Sequence, residues 1–336
     1  MKLEAFHERT ILIASYRIAS SFPSTKETAF QPLAPLSPKK IMRKASHWII
    51  ALAPVLLLYV STASSLLSNT LNAQEPLLKP NDRVAVLGGT LVERMQSSGA
   101  LELELQTRRP EWKLKIRNLG WSGDDVHGLA RKVFDNPEAG FKRMIRDVET
   151  ADPTVVLIAY GFAEASDGAA AVDRFEAGLN RLLDQMKQQK RRIILLSPFA
   201  MPGIRTPGYD QSMSRCQQIV ASVGAARKIP VLVSNWVPQA SDVTEDGLHP
   251  SPAGFKSLAQ PLAKQLVGGS TKPKASQSLQ AQIVSKNQLF FHRYRPQNET
   301  YLFLFRKHEQ GNNASEIPEF DPLIDAADQK IWAAAK

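Results

Sequence analysis

Two short stretches of this chain hold the residues best suited to chemistry: Asp246-Gly-Leu-His249-Pro250, and Gly88-Gly-Thr90-Leu91 some 160 residues earlier. The first sits in a Pro/Gly-punctuated loop ahead of an apolar helical stretch, and the second closes an apolar run from Arg83 to Leu87. A hydroxyl, an imidazole and a carboxylate supply attacking oxygen, general base and the group that orients the base. In that arrangement His249 takes the proton of Thr90, and Asp246 accepts the other ring proton and fixes the tautomer. Each residue also has a plainer reading. An acid near a histidine in a loop is usually a solvated turn, Gly-Gly is a strand-ending turn, and Thr90 can serve as the N-cap of the helix containing Leu91 and Met95. Ser122 lies on the same expected face and offers a second hydroxyl, although loop serines are more often turn residues. Asp124, Asp125 and His127 lack an established metal-ligand spacing and read as caps of the next helix; no metal or other cofactor is expected. Cys216, the single cysteine, reads as a packed thiol and excludes a disulfide framework, a Cys-rich zinc site and a haem attachment.

These residues need a scaffold to converge, and the chain after Pro80 alternates in the right way. Apolar runs suited to buried parallel strands occur at Val84–Leu87, Leu114–Ile116, Val155–Ala159, Ile193–Leu196 and Val231–Val233. Between them, helical spacing marks Ala170–Gln188 and Ser212–Ala226, and a last helix is expected over Ala253–Leu266 after the cap pair Ser251-Pro252. This order predicts an α/β fold, a three-layer, doubly wound, mainly parallel five-stranded sheet of flavodoxin-like type. Ligands bind such sheets at the carboxyl ends of the strands. Thr90, Gly120, Gly161, and the pair Asp246 and His249 all follow strands.

Residues 80–267 resemble an SGNH (GDSL-type) hydrolase domain. The likeness rests on Gly88-Gly89-Thr90-Leu91, Asn118-Leu-Gly120-Trp-Ser-Gly123, Gly161-Phe-Ala163-Glu164 and Asp246-Gly-Leu-His249. The phrasing Asn118-Leu-Gly-Trp-Ser and His249-Pro-Ser-Pro-Ala-Gly is similar to secreted members from planctomycete-type bacteria. The resemblance implies hydrolysis of acyl or acetyl esters, carbohydrate esters among them, with Thr90 as nucleophile and the Thr90 and Gly120 amides as oxyanion donors. Ser122, Gly161, Ala163 and Glu164 are the further substrate-side residues. Two family positions differ: Thr90 stands where the family has serine, and Ala163 where it has an asparagine donor. The added methyl restricts the nucleophile's rotamers, and loss of the donor costs on the order of 10² to 10³ in rate where it is used. A slow enzyme, or a pseudoenzyme that binds carbohydrate or envelope material without turnover, therefore belongs to the same reading.

With 336 residues, 43% hydrophobic and 22% charged, the chain can bury a full core. Its net charge of +10 suggests nucleic acid, but residues 1–44 hold eight Lys/Arg against three Asp/Glu, half of the excess. No charged residue occurs from Ala45 to Gln74, where a basic flank and an apolar run from Trp48 to Val60 read as a signal peptide or an uncleaved membrane anchor over residues 42–73. Residues 1–41 read as an upstream extension. Either reading places the domain outside the cytoplasm, with the N-terminal segment as its only membrane contact. Residues 268–286 read as a Gly/Ser/Lys/Gln linker, and 287–336 as an accessory segment in which aromatics alternate with Arg293, Arg295, Arg306 and Lys307. That pattern fits a base-stacking platform, or a strand or loop lying on the domain with its rings buried. The second reading is favoured, so no nucleic-acid partner is expected, and Tyr301–Phe305 is expected to be covered.

Overall fold

The computed structural model describes residues 75–204, 206–234, 236, 242, 246–269, 276–309 and 313–336. The upstream extension and the apolar N-terminal segment lie outside these residues. Among the described residues no helix is long and apolar enough to cross a membrane.

Five strands form one parallel sheet: β1 (Arg83–Gly88), β2 (Lys115–Gly120), β3 (Val155–Ala159), β4 (Arg192–Leu196) and β5 (Val231–Leu232). Their order is β2-β1-β3-β4-β5, so successive strands are added first on one side of β1 and then on the other, and the switch point falls between β1 and β3. The helices, in chain order, are α1 (Thr90–Ser98), α2 (Ala100–Arg108), α3 (Pro137–Ala151), α4 (Phe162–Asp167), α5 (Ala169–Gln188), α6 (Tyr209–Arg227), α7 (Pro252–Val267), α8 (Gln277–Tyr294), α9 (Glu299–Leu302) and α10 (Phe320–Ala334).

The near-continuous apolar strands are explained by burial on both sheet faces. Val84 and Val86 of β1, with Val155, Leu157 and Ala159 of β3, point into a core shared with α1, α2 and α7. Their neighbours Ala85 and Leu87, with Val156 and Ile158, point into a second core shared with α3, α5 and α6. Helix α5, expected from its spacing over Ala170–Gln188, packs one apolar stripe: Val172, Phe175, Leu179, Leu182, Leu183 and Met186 are all buried. At the start of α7, Ser251 accepts the Gly254 N–H at 3.1 Å and Pro252 occupies the first turn.

The C-terminal region departs from the expectation. The stretch read as a linker turns into α8 at Gln277, and the accessory segment is helical rather than a strand or loop. Lys286 of α8 is fully buried and its Nζ donates to Glu102 Oε2 at 2.7 Å, to the Ile116 carbonyl at 3.0 Å and to Asn287 Oδ1 at 2.8 Å. Helix α10 covers α8 through Ile331 and Trp332, which cluster with Leu103, Leu279 and Ile283. Phe290 and Tyr294 are buried as expected, but Phe303 and Phe305 are 48% and 70% exposed. Their only ring partner among the described contacts is Phe134, itself exposed, which meets Phe305 edge-on at 6.3 Å.

Candidate active site

The loop after β5 presents the acid–imidazole pair. His249 Nδ1 lies 2.5 Å from Asp246 Oδ2, while Asp246 Oδ1 accepts the backbone N–H groups of Leu248 and His249 at 2.9 and 3.2 Å. The carboxylate thus builds its own turn and holds the ring. With Nδ1 as the donor to Asp246, Nε2 is left as the basic nitrogen. The turn is seated on the segment after β4, where Gly203 N–H donates to the Gly247 carbonyl at 2.9 Å. A Cβ on Gly203 would lie 2.5 Å from the Asp246 carbonyl oxygen, and Gly247 has φ +66°, so this approach requires glycine on both sides.

The opposing hydroxyl comes from the other side of the switch point. Gly89 occupies the N-cap position of α1 and Thr90 is the first helical residue, so Thr90 is not the cap. Its Oγ1 accepts the Gly123 N–H at 2.9 Å. One lone pair is therefore engaged and the hydroxyl proton remains to be given. Thr90 and His249 line one cavity of about 180 Å³ at the carboxyl ends of β1 and β3.

The amide that reaches Thr90 belongs to Gly123, not to Gly120. Gly120 is still paired with Gly88 in the sheet, and its N–H donates to Asn118 Oδ1 at 2.9 Å. Its carbonyl accepts the Tyr294 hydroxyl at 2.5 Å, and a Cβ there would fall 2.1 Å from Glu93 N. Gly120 thus allows α1 to close onto the end of β2, and it is not among the residues lining the cavity. Leu119, after the polar pair Arg117-Asn118, was the available sequence signal that the strand runs on: the ladder extends to Gly120, Trp121 N–H still donates to the Gly88 carbonyl at 3.0 Å, and Gly123 is the amide that reaches Thr90.

That turn is held from below by buried charge. Asp124 Oδ2 accepts from Arg131 Nε at 2.7 Å and from the Tyr160 hydroxyl at 3.0 Å, and Arg131 also donates to Asp147 at 2.9 Å. Burial pushes the Asp124 and Asp147 carboxyls and the Tyr160 phenol above their ordinary values. Asp125 Oδ1 accepts the His127 and Leu129 N–H groups and so closes the turn ahead of the short helical stretch Leu129–Lys132, whose cap position is Gly128 rather than the expected acid.

Glu164, 2% exposed, bridges two loops, accepting Val126 N–H on one oxygen and Gly161 N–H on the other, both at 2.8 Å. Burial pushes its carboxyl up to about 7. Gly161 and Glu164 therefore lie beneath the cavity, and Ala163 lines it. Ser122 is drawn elsewhere: its hydroxyl and N–H both donate to Glu93, at 2.9 and 2.7 Å, and Glu93 pairs with Arg295, which stacks on Trp121. Ser122 is not among the cavity-lining residues. Cys216 is buried, and burial pushes its thiol up to about 12, so it is a packed, unreactive thiol.

Phe162, Met201, Ile204, Tyr209 and Leu248 complete the cavity wall with apolar surface. The arrangement pairs a hydroxyl, a backbone donor aimed at it and an oriented imidazole around a small apolar recess.

Residues 96–256, just under half of the chain, match the model of the GDSL-like lipase/acylhydrolase family. The matched span contains Gly123, Ala163, Asp246 and His249 and begins after Thr90. Comparison with curated proteins gives no significant match. Among solved structures, a catalytic mutant of the acetylxylan esterase Axe2 from Geobacillus stearothermophilus is 18% identical, with a TM-score of 0.48 over 58% of this chain and 100% of that one. The lipase/acylhydrolase from Enterococcus faecalis is 21% identical, with a TM-score of 0.42 over 58% and 100%. A gut microbial diltiazem-metabolizing enzyme, BT4096, is 15% identical with a TM-score of 0.43; the alignment covers 57% of this chain and 48% of that one, about half its length.

Proposed function

Because residues 96–256 match the model of the GDSL-like lipase/acylhydrolase family, we propose that the protein hydrolyses short acyl esters and that Thr90 is its nucleophile. The observation that carries this reading is that Thr90, whose Oγ1 accepts the Gly123 N–H at 2.9 Å, lines one cavity with the oriented His249. A recess of about 180 Å³ walled by Phe162, Met201 and Ile204 suits a small acyl group such as acetyl rather than a fatty chain.

In this mechanism Thr90 Oγ1 attacks the ester carbonyl carbon as its proton passes to His249 Nε2. The charge that develops on the carbonyl oxygen is met by the Gly123 N–H and by the Thr90 N–H, one of the first amides of α1 that have no partner within the helix. The tetrahedral species collapses, the C–O bond to the alcohol breaks, and His249 returns the proton to the leaving oxygen. Water, deprotonated by His249, then releases the acyl group from Thr90. Asp246 steadies the imidazolium through both half-reactions.

Ala163 favours a second reading. Its methyl lines the cavity where a side-chain donor would strengthen the hole, which suits a binding module without turnover. Hydrolysis of phenyl acetate separates the two. Turnover that disappears in both Thr90→Ala and His249→Ala and persists in Thr90→Ser supports the esterase; no turnover in the wild type supports the module. Activity lost only in Ser122→Ala overturns the assignment of the nucleophile.

The charge-free stretch from Ala45 to Gln74 supports export of the domain. Fractionation of cells expressing the full chain tests this, and recovery in the cytoplasm contradicts it.

A further inference from the structure

The turn that presents the Gly123 amide is gripped by residues remote from it in the chain. Glu93 lies three residues after Thr90, on the same face of α1. Its carboxylate accepts the Ser122 N–H at 2.7 Å on Oε2 and the Ser122 hydroxyl at 2.9 Å on Oε1. Arg295, which ends α8, pairs with Glu93 Oε2 and holds its guanidinium carbon 3.9 Å from the centre of the Trp121 ring. Arg143 of α3 stands over the same ring at 4.6 Å, and the Tyr294 hydroxyl donates to the Gly120 carbonyl at 2.5 Å. Gly120, Trp121 and Ser122 are thus each held by a side chain from another element. Gly123 has no such packing: among the described residues, a Cβ there would meet no atom within 4 Å.

We propose that Glu93 and Arg295 form a clamp that aims the Gly123 N–H at the developing oxyanion, so that Arg295 is a positioning residue supplied by the C-terminal region. The inference rests on the esterase reading above and names what preorganises its donor. The peptide joining Ser122 to Gly123 is planar, so the direction of the Gly123 N–H follows from where Ser122 is held. Two hydrogen bonds to one carboxylate fix both the backbone and the side chain of Ser122, and the charge of the acceptor strengthens them. Arg295 keeps that carboxylate turned toward Ser122 and, through its stacking on Trp121, keeps the turn against α8. Helix α1 therefore carries the nucleophile and, one turn later, the acid that steadies the donor. A donor aimed in advance costs no reorganisation when charge develops, and that advantage is lost if the clamp opens. Both clamp residues lie outside residues 96–256, the span matched by the family model, so the matched blocks alone do not contain it.

The experiment measures phenyl acetate hydrolysis and glycine amide exchange in the full chain and in Arg295→Gln, Arg295→Lys, Glu93→Gln and the double variant Glu93→Gln/Arg295→Gln. Opening the clamp lowers kcat by about tenfold and leaves KM within about twofold, because the donor acts in the transition state. Arg295→Lys, which keeps a charge beside Glu93, recovers part of the loss. The double variant loses no more than the worse single one, since the two residues act as a unit. With isotope-labelled glycine, NMR follows each amide: exchange at Gly123 quickens by at least about tenfold in Arg295→Gln, while Gly120, whose N–H donates to Asn118, is unchanged. An unchanged kcat, additive losses, or equal quickening at both amides overturns the proposal, the last because it marks a merely structural role. If Arg295→Gln does not fold, an unchanged kcat in Glu93→Gln overturns it instead. Should the wild type fail to turn over phenyl acetate, the esterase reading fails, and exchange at Gly123 relative to Gly120 still decides whether the clamp holds that amide.

Discussion

Gly123 and Ala163 set the chemistry of this site in opposite directions. The Gly123 amide already points at Thr90 Oγ1, so one donor is in place before substrate arrives, whereas Ala163 contributes only a methyl. If oxyanion stabilisation limits the rate, Ala163→Asn raises kcat on phenyl acetate by on the order of 10² without a matching change in KM, measured by steady-state kinetics. An unchanged kcat places the limitation at Thr90, whose methyl crowds the attack. Asp246 and His249 were legible in the sequence because a three-residue spacing lets one carboxylate cap a turn and hold the ring. Gly120, expected as a donor, has its N–H held by Asn118, and the amide that meets Thr90 is that of Gly123, three residues on, because spacing alone does not show where a strand's pairing stops. Ser122 was drawn from the expected face by Glu93 and Arg295, a partnership spanning 202 residues that local pattern does not contain.

At the scale of elements, the strands and the helices α5, α6 and α7 were readable because burial on both sheet faces and amphipathic spacing leave strong periodic traces. Helix α8 was not: its Gly/Ser/Lys/Gln surroundings look like a linker, and its helical face is explained only by tertiary partners. Lys286 is buried against Glu102, which burial holds above the ordinary carboxylate range despite that partner. Lys286→Met strands the Glu102 carboxyl and is expected to cost about 3–5 kcal/mol in urea unfolding, with much of it recovered in Lys286→Met/Glu102→Leu. A loss below about 1 kcal/mol would show that α8 docks through its apolar residues alone.

Glu164 ties the turn of β2 to the start of α4 and gives a pH dependence of known sign. Its folded-state value is raised from 4.5 to about 7, so the folded chain binds more protons than the unfolded one in that window. Its contribution is present below pH 4.5 and is lost as pH rises to about 7, amounting to about 3 kcal/mol if the shift is realised in full. Relative to Glu164→Gln, the wild type should therefore lose Tm as pH is raised from 4.5 to about 7. Parallel Tm profiles would contradict the raised value.

At the scale of the whole molecule, a sheet ordered β2-β1-β3-β4-β5 brings the ends of β1, β3 and β5 to one rim, so residues 156 positions apart in the chain, Thr90 and Asp246, serve one site. The C-terminal helices close that architecture over α1, α2 and the β2 edge, and Tyr294 reaches the Gly120 carbonyl to brace the end of β2. Phe303 and Phe305, which were expected to be covered, follow the short α9 and are exposed. The central claim is that Thr90 is an activated hydroxyl. Reaction of the full chain with a fluorophosphonate, followed by mass-spectrometric mapping, tests it without knowledge of the substrate. An adduct on Thr90 that is lost in His249→Ala is the predicted result; an adduct on Ser122, or labelling that persists in Thr90→Ala, contradicts it.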